Sequence, residues 1–398
     1  MAAERRGVGR AAIAVVLALA LTGCAGTAGS DGGERGEVRA VLGRWSAALL
    51  ARDAAGYLAE DARPTARQDF ARPAALPLDS WEYALTSLRT EGGGRAFAAA
   101  ELRYRLAGYD TVPATTARDL ELARTGGRWR IVADRPGPGA HPQLWDQGRV
   151  TAVRGAHSLV LGVEGGGAAR RELLADVSAA AERAVPAASA AWPRPWARKA
   201  VVLVPGSLDA MAALLGEPPA TYRGMAAVTT GRVGDGPVPA DRVTVNPQAY
   251  GELGALGRRV VLAHEVTHVA TRAATSAATP LWLSEGFADW AAYRGSGRTP
   301  EEAAPALARA VRRGDPPGAL PADRDFAFGG DADALAASYE GAWLACRMMA
   351  QRWGERAPAD FYAAVSRSSP AAAFASVLGT DEREFTASWR AYLRELFG

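Results

Sequence analysis

The sequence predicts an α+β protein of two domains, a helix packed on a curved antiparallel sheet, followed by a small β-sheet that gives way to helices. Three observations support this prediction. The length of 398 residues exceeds that of one average domain. Strand-like segments fall into two separate stretches, whereas the apolar residues after Leu256 have helical spacing. Between the two stretches lies Asp134 to Gly139, whose Pro and Gly residues break both helix and strand.

The composition indicates a globular protein without a nucleic-acid partner. Hydrophobic residues make up 48% of the chain and charged residues 22%. The formal net charge is +3, and it falls further when the N-terminal leader described next is left out, since that leader holds three arginines and one glutamate. Binding to nucleic acid is therefore not indicated.

The N-terminus has the pattern of an export signal. Three arginines precede an apolar run from 11 to 21, about half of the roughly 20 residues that a membrane-spanning helix requires. The run ends in Leu-Thr-Gly-Cys24, which resembles the lipobox of bacterial lipoproteins. We therefore expect a signal peptide over 1–23, lipidation of Cys24, and a protein exported to the extracytoplasmic face of the cell membrane. An ordinary cleavage site and an uncleaved anchor are the alternatives. Residues 24–33 are predicted to form a flexible tether.

The first domain is predicted over residues 34–140. Apolar residues at helical spacing indicate one helix over 37–59, and Trp81 to Leu88 indicates a second, short helix. The segments with strand character are Arg95 to Leu106, Ala117 to Ala123 and Trp129 to Ala133. A long helix with a curved antiparallel sheet resembles the nuclear-transport-factor-2-like (NTF2-like) cone fold. No motif in this domain indicates a function.

The second domain is predicted over residues 148–398. A helix is expected over Arg170 to Ala188, and the helix that begins near Leu256 should continue to about Arg272. The predicted strands are Val150 to Val153, Ser158 to Val163, Ala200 to Val204, Met225 to Thr230 and Arg242 to Val245. This domain is therefore α+β, with its strands first and its helices last.

The most informative motif is His-Glu-Val-Thr-His at 264–268, the pattern of zinc hydrolases. Residues four apart share one face of a helix, so His264 and His268 can bind one metal ion. Glu265 is rotated by about 100° around the helix axis, toward the open coordination position of that ion. The motif therefore predicts two metal ligands and a general base on a single helical turn.

A catalytic zinc site usually has three protein ligands, so a third ligand is required. The third histidine of metzincins would stand at Ala274, which excludes that class. Glu285 lies 17 positions after His268 on an apolar stretch, where a carboxylate must be paired, ligated or at the surface. Asp289 follows one helical turn later and could accept the other ring N–H of a liganding histidine, most simply His264. The alternative is that both acids are solvated surface residues.

His-Glu-x-x-His followed by Trp-Leu-x-Glu-Gly-x-Ala-Asp resembles the gluzincin peptidases, the clan of thermolysin and aminopeptidase N. The resemblance implies zinc bound by His264, His268 and Glu285, with Glu265 as general base. It further implies that Ser-Tyr-Glu-Gly at 338–341, which should open a helix running to about Trp353, supplies Tyr339 as the hydrogen-bond donor to the oxyanion. The strand Arg223 to Thr229 lacks the glutamate with which such aminopeptidases bind a free amine.

The sequence thus predicts a lipid-anchored zinc metallopeptidase with one Zn²⁺ per chain and a peptide or protein substrate. Two alternatives stay open: a non-catalytic binding lipoprotein with a relic or structural zinc site, and a zinc hydrolase that acts on a non-peptide bond. The one cysteine besides Cys24 is Cys346, inside an apolar helical run, and we expect it to be a buried free thiol.

Overall fold

The computed structural model describes residues 30–231, 238–328 and 330–398. These residues form two compact units. The N-terminal unit holds the described residues up to 107 together with 113–141, and the C-terminal unit holds 108–112 and 142 onward. The predicted signal peptide over 1–23 and the predicted lipidation site Cys24 lie outside the described residues.

The N-terminal unit begins with three helices: α1 (Ser30–Leu50), α2 (Ala54–Glu60) and α3 (Ala66–Ala71). The single helix expected over 37–59 is therefore divided in two, and α1 begins inside the segment predicted to be a tether. The division has a local cause. Arg52 adopts a left-handed conformation with φ of 58°. Asp53 then caps α2 by accepting a hydrogen bond of 3.0 Å from the N–H of Gly56.

Four antiparallel strands in sequential order form the sheet of this unit: β1 (Leu78–Glu91), β2 (Arg95–Leu106), β3 (Ala114–Thr125) and β4 (Arg128–Pro136). The helix expected over Trp81 to Leu88 is wrong, because β1 occupies this segment. Trp81 and Tyr83 are both buried, two residues apart, as on one face of a strand. A register shift between Leu85 and Ser87 then interrupts the alternation. This irregularity gives the apolar residues the spacing of a helix.

The C-terminal unit contains five strands: β5 (Val150–Arg154), β6 (Ser158–Val163), β7 (Ala200–Val204), β8 (Ala227–Thr230) and β9 (Arg242–Val245). Their spatial order is β5-β6-β7-β9-β8. The central strands β6, β7 and β9 run parallel, whereas β5 and β8 pair antiparallel at the two edges. The prediction of an α+β fold class is confirmed by these two sheets and their helices.

The helices of the C-terminal unit surround one large core that also receives the buried face of the sheet. They are α4 (Leu144–Gln147), α5 (Gly167–Ala191), α6 (Leu208–Leu215), α7 (Pro219–Tyr222), α8 (Pro247–Glu252), α9 (Ala255–Thr271), α10 (Leu281–Tyr293), α11 (Pro300–Ala303), α12 (Pro305–Arg312), α13 (Ala332–Trp353), α14 (Ala357–Arg367), α15 (Pro370–Ala373) and α16 (Glu382–Phe397). Cys346 on α13 is a buried free thiol, as expected. Among the described residues, no helix is both long and apolar enough to cross a membrane.

Three helices position the candidate site: α10 packs against α9 on one side and α13 on the other. Gly286 allows the second of these contacts. A Cβ atom at Gly286 would lie only 2.5 Å from the carbonyl carbon of Ala342 on α13 and still closer to its oxygen. Only glycine therefore permits this separation of the two helix backbones.

Candidate metal centre

The histidines and the glutamate of the motif lie in the interior of the C-terminal unit. Helix α9 buries Leu262 and Val266 in the core, which orients the helix so that the motif faces α10. His264 retains 3% of its surface, His268 9% and Glu265 none. Polar groups this deeply buried require partners, so their contacts decide what the site can bind.

Helix α10 brings Glu285 to the two imidazoles, and the three side chains form a possible metal site. The Nε2 atoms of His264 and His268 are 3.0 Å apart. Glu285 Oε2 lies 3.3 Å from His264 Nε2 and 3.7 Å from His268 Nε2. With zinc–ligand bonds of about 2.0–2.1 Å, two ligands of a tetrahedral ion are about 3.3 Å apart. The three observed separations scatter around this value, so the donor atoms already have the spacing of three corners of a zinc tetrahedron.

Asp289 lies one turn beyond Glu285 on α10. Its Oδ1 is 2.8 Å from His264 Nδ1, so that nitrogen donates to the carboxylate and Nε2 is left to bind a metal. Burial by itself lowers the pKa of His264, but the carboxylates of Asp289 and Glu285 outweigh burial and raise the pKa to about 10. The negative charge collected around this imidazole is suited to a cation.

Two carboxylate oxygens at the centre support the same interpretation. Within the described part of the chain, Glu265 Oε1 is buried and accepts no hydrogen bond, and the buried Glu285 Oε2 faces the two imidazole nitrogens at 3.3 and 3.7 Å. An unpartnered buried carboxylate oxygen is costly unless a cation or an ordered water satisfies it. A divalent ion bound by His264, His268 and Glu285 would satisfy Glu285 Oε2, and a water at its open position would satisfy Glu265 Oε1. The residues present therefore fit zinc.

The other oxygen of Glu265 has a partner that the sequence did not reveal. Thr229 Oγ1 on β8 donates to Glu265 Oε2 at 2.6 Å and lies 3.1 Å from the main-chain oxygen of the same residue. Thr229 precedes Glu265 by 36 positions. No local spacing rule connects residues so far apart, and a threonine in a strand is ordinarily taken as a β-former.

Tyr339 lies on α13, and its setting differs from the expected one. The helix begins at Ala332 after the N-cap Asp331, so Tyr339 stands in its interior and does not open it. Its ring is buried and packs edge-on against Phe326 at 5.0 Å. Burial, followed by the charges of Glu285, Asp289 and Glu265, raises the pKa of the Tyr339 hydroxyl. The phenol therefore stays protonated and can donate a hydrogen bond.

A cavity of about 270 Å³ adjoins the centre. Its polar wall includes His264, Glu265 and Tyr339, and its apolar wall includes Val260 and Trp343. The cavity thus brings the predicted base and the predicted donor to one space beside the ligands. Such a mixture of apolar surface and a few polar groups is typical of small-molecule and substrate sites.

No protein-family model matches the chain, and no curated protein is similar to it in sequence. Among solved structures, the chain is similar to a two-domain M1 zinc metallopeptidase bound to L-arginine, at a TM-score of 0.33 and 16% identity. That match covers 76% of this chain, and the chain spans 61% of the length of that peptidase. A second match, Rv3472 from Mycobacterium tuberculosis, a protein of unknown function, has a TM-score of 0.24 and 17% identity over 29% of this chain and 77% of the other. Both matches are distant, and neither shows the function of this chain.

Proposed function

We propose that this chain is a zinc-dependent peptidase whose ion is held by His264, His268 and Glu285. The observation that carries the proposal is the triangle of donor atoms with sides of 3.0, 3.3 and 3.7 Å. Beside this triangle stands Glu265, a buried carboxylate that is not part of it. A purely structural zinc site is closed by its protein ligands and has no use for such a carboxylate.

Zinc bound there would lower the pKa of a coordinated water and polarise the scissile carbonyl. Glu265 would take a proton from the attacking water as its oxygen bonds to the carbonyl carbon, and would deliver that proton to the nitrogen of the leaving amine as the C–N bond breaks. Tyr339 donates its hydroxyl to the oxyanion that forms on the carbonyl. Asp289 holds His264 in the tautomer that presents Nε2 to the ion.

The sheet offers a way to hold an extended peptide. Among the described residues, strand β8 lies at an edge of the sheet with β9 as its one strand neighbour, so the other side of its backbone could pair with substrate. Its sequence, Ala-Val-Thr-Thr over 227–230, carries no acidic side chain that could bind a free amino terminus. We therefore propose that this strand binds the peptide backbone and not its N-terminal amine.

The direct test is a peptide-library digestion with residues 30–398, which keep α1 whole, with the cut bonds mapped by mass spectrometry. The matched control is Glu265→Gln, which preserves shape and should retain zinc while losing about 10²–10⁴-fold in kcat. If Glu265→Gln cleaves the same peptides at a rate close to that of wild type, Glu265 is not the base. Zinc binding without cleavage of any library member would favour the binding lipoprotein, or a zinc hydrolase for another bond.

We also propose that the protein is exported and anchored through Cys24, on the sequence pattern alone. Metabolic labelling with a fatty acid should mark the wild type and leave Cys24→Ala unlabelled and released from the membrane fraction. Equal membrane association of both forms would contradict lipid anchoring.

A further inference from the structure

We infer that Thr229 is a positioning residue for Glu265 and determines which of the two carboxylate oxygens is presented to the reacting water. The inference rests on the proposed function, in which Glu265 is the general base. Thr229 is not adjacent to the motif in sequence and belongs to the sheet, whereas the base belongs to helix α9. The connection between them is a single hydroxyl group.

The alternation of β8 directs Thr229 toward α9. Ala227 is buried in the large core that includes α9, whereas Val228 packs in a separate cluster with Met211 and Tyr222. Residues two apart share a face of a strand, so Thr229 faces α9 together with Ala227. Thr230 is exposed, and its hydroxyl donates instead to the main-chain oxygen of Arg242 at 3.3 Å.

The hydrogen bonds made by the two carboxylate oxygens of Glu265 define the role of Thr229. A threonine hydroxyl has one proton, and the 2.6 Å contact with Glu265 Oε2 is much shorter than the 3.1 Å contact with the main-chain oxygen. The proton therefore belongs mainly to Oε2, in a short bond to a carboxylate. Oε1 has no partner among the described residues and is the oxygen left for water.

The hydroxyl of Thr229 would act on the orientation of the Glu265 carboxylate. Glu265 is fully buried, so its orientation depends on its protein neighbours. A catalytic group must be fixed by neighbours within a fraction of an ångström, and misplacement by about 1 Å can cost about 100-fold in rate. The Thr229 hydroxyl holds Oε2 of Glu265 and thereby fixes the side-chain torsion that directs Oε1 toward the water. Since β8 is also the strand proposed to pair with substrate, one strand would place both the peptide and the base.

The test compares Thr229→Val, which replaces the hydroxyl by a methyl group of similar size, with Thr229→Ser, which keeps the hydroxyl. Thr229→Val should lower kcat by about 10- to 100-fold, with KM changed less than about 2-fold and zinc content unchanged. Thr229→Ser should recover most of kcat. The matched control is Thr115→Val, at an exposed threonine on β3 of the N-terminal unit, and it should behave as wild type. Unchanged kcat in Thr229→Val, or no recovery in Thr229→Ser, would overturn the inference.

A second readout needs no substrate. On the zinc-loaded protein, the dissociation constant of acetohydroxamic acid is measured for wild type, Thr229→Val, Glu265→Gln and the double variant. If Thr229 acts through Glu265, Thr229→Val should weaken binding several-fold in the wild-type background and have no effect in the Glu265→Gln background. Equal effects in both backgrounds would refute the coupling. If wild type cleaves no peptide while this cycle shows coupling, the proposed function fails and the positioning role stands.

Discussion

Replacing Gly286 by alanine should separate two helices that carry different parts of the proposed active site. Glu285 and Asp289 lie on α10, and Tyr339 lies on α13. The added Cβ would stand 2.5 Å from the carbonyl carbon of Ala342, against an ordinary carbon contact of about 3.5 Å, so the helices must move apart by about 1 Å. The obstructing atoms belong to the backbone and cannot rotate away.

The size of the effect follows from two opposed contributions. Overpacking of this kind costs about 1–3 kcal/mol, and rigid backbone atoms place Gly286→Ala near the upper end. Alanine in a helix interior returns about 1 kcal/mol relative to glycine. The net loss of about 2 kcal/mol corresponds to a melting temperature lowered by roughly 4–8 °C. A displacement of about 1 Å between Tyr339 and the ligands should also lower kcat by up to about 100-fold.

The assay is thermal denaturation followed by circular dichroism, together with kcat on the best library peptide. Gly251→Ala is the matched control, because Gly251 is also helical and exposed and a Cβ there meets nothing within 4 Å. That variant should match or slightly exceed wild type in stability. If Gly286→Ala melts at the wild-type temperature and keeps its kcat, the close approach of α10 and α13 does not limit the site.

Four further predictions concern single side chains. Glu285→Gln should retain far less zinc per chain after dialysis, as measured by inductively coupled plasma mass spectrometry, and undiminished zinc would remove Glu285 from the ligand set. Asp289→Asn should weaken zinc binding by about 10–100-fold. Tyr339→Phe should lose about 100-fold or more in kcat with normal zinc content, and a loss confined to KM would argue against oxyanion donation. Burial raises the pKa of Glu340 to about 7, above its ordinary 4.5. The folded state therefore favours the protonated carboxyl. The stability that this carboxyl contributes is fully present below about pH 4.5, and it is lost as the pH rises through about 7 and the buried group becomes charged. The free energy of unfolding, measured by denaturation from pH 4 to 8, should depend less on pH in Glu340→Gln than in wild type. The same pH dependence in both proteins would show that Glu340 is not its source.

The sequence was most informative where chemistry depends on local helical spacing. His264, Glu265 and His268 could be assigned to one turn because residues one and four apart have fixed directions on a helix. The structure brings Glu285 to the two imidazoles, and a carboxylate on an apolar stretch could be singled out because it needs a partner. Most strands were also predictable, since apolar residues alternate along β2, β3 and β4 and form short continuous runs in β6 and β7.

The errors and omissions arose where geometry depends on a partner in another element. Strand β1 was predicted as a helix because its irregular register disturbs the alternation, and register is decided by β2. Helix α13 begins earlier than expected because Asp331 caps it upstream of the Tyr-Glu motif. Thr229 was missed because its partner is a helix residue that only the folded sheet brings near. Such contacts are properties of the tertiary structure and have no local signal.

The division of the ligands between α9 and α10 has a thermodynamic consequence. Two of the proposed ligands come from α9 and the third from α10, so the complete set exists only while these helices are packed together. Zinc affinity then includes the free energy of that packing, and zinc in turn opposes unfolding. At a free zinc concentration about 1,000 times the dissociation constant, this linkage amounts to about 4 kcal/mol. Withdrawal of zinc from the proposed site would therefore loosen the α9–α10 interface as well as stop the proposed catalysis, so that scarcity of the ion would shorten the lifetime of the folded protein.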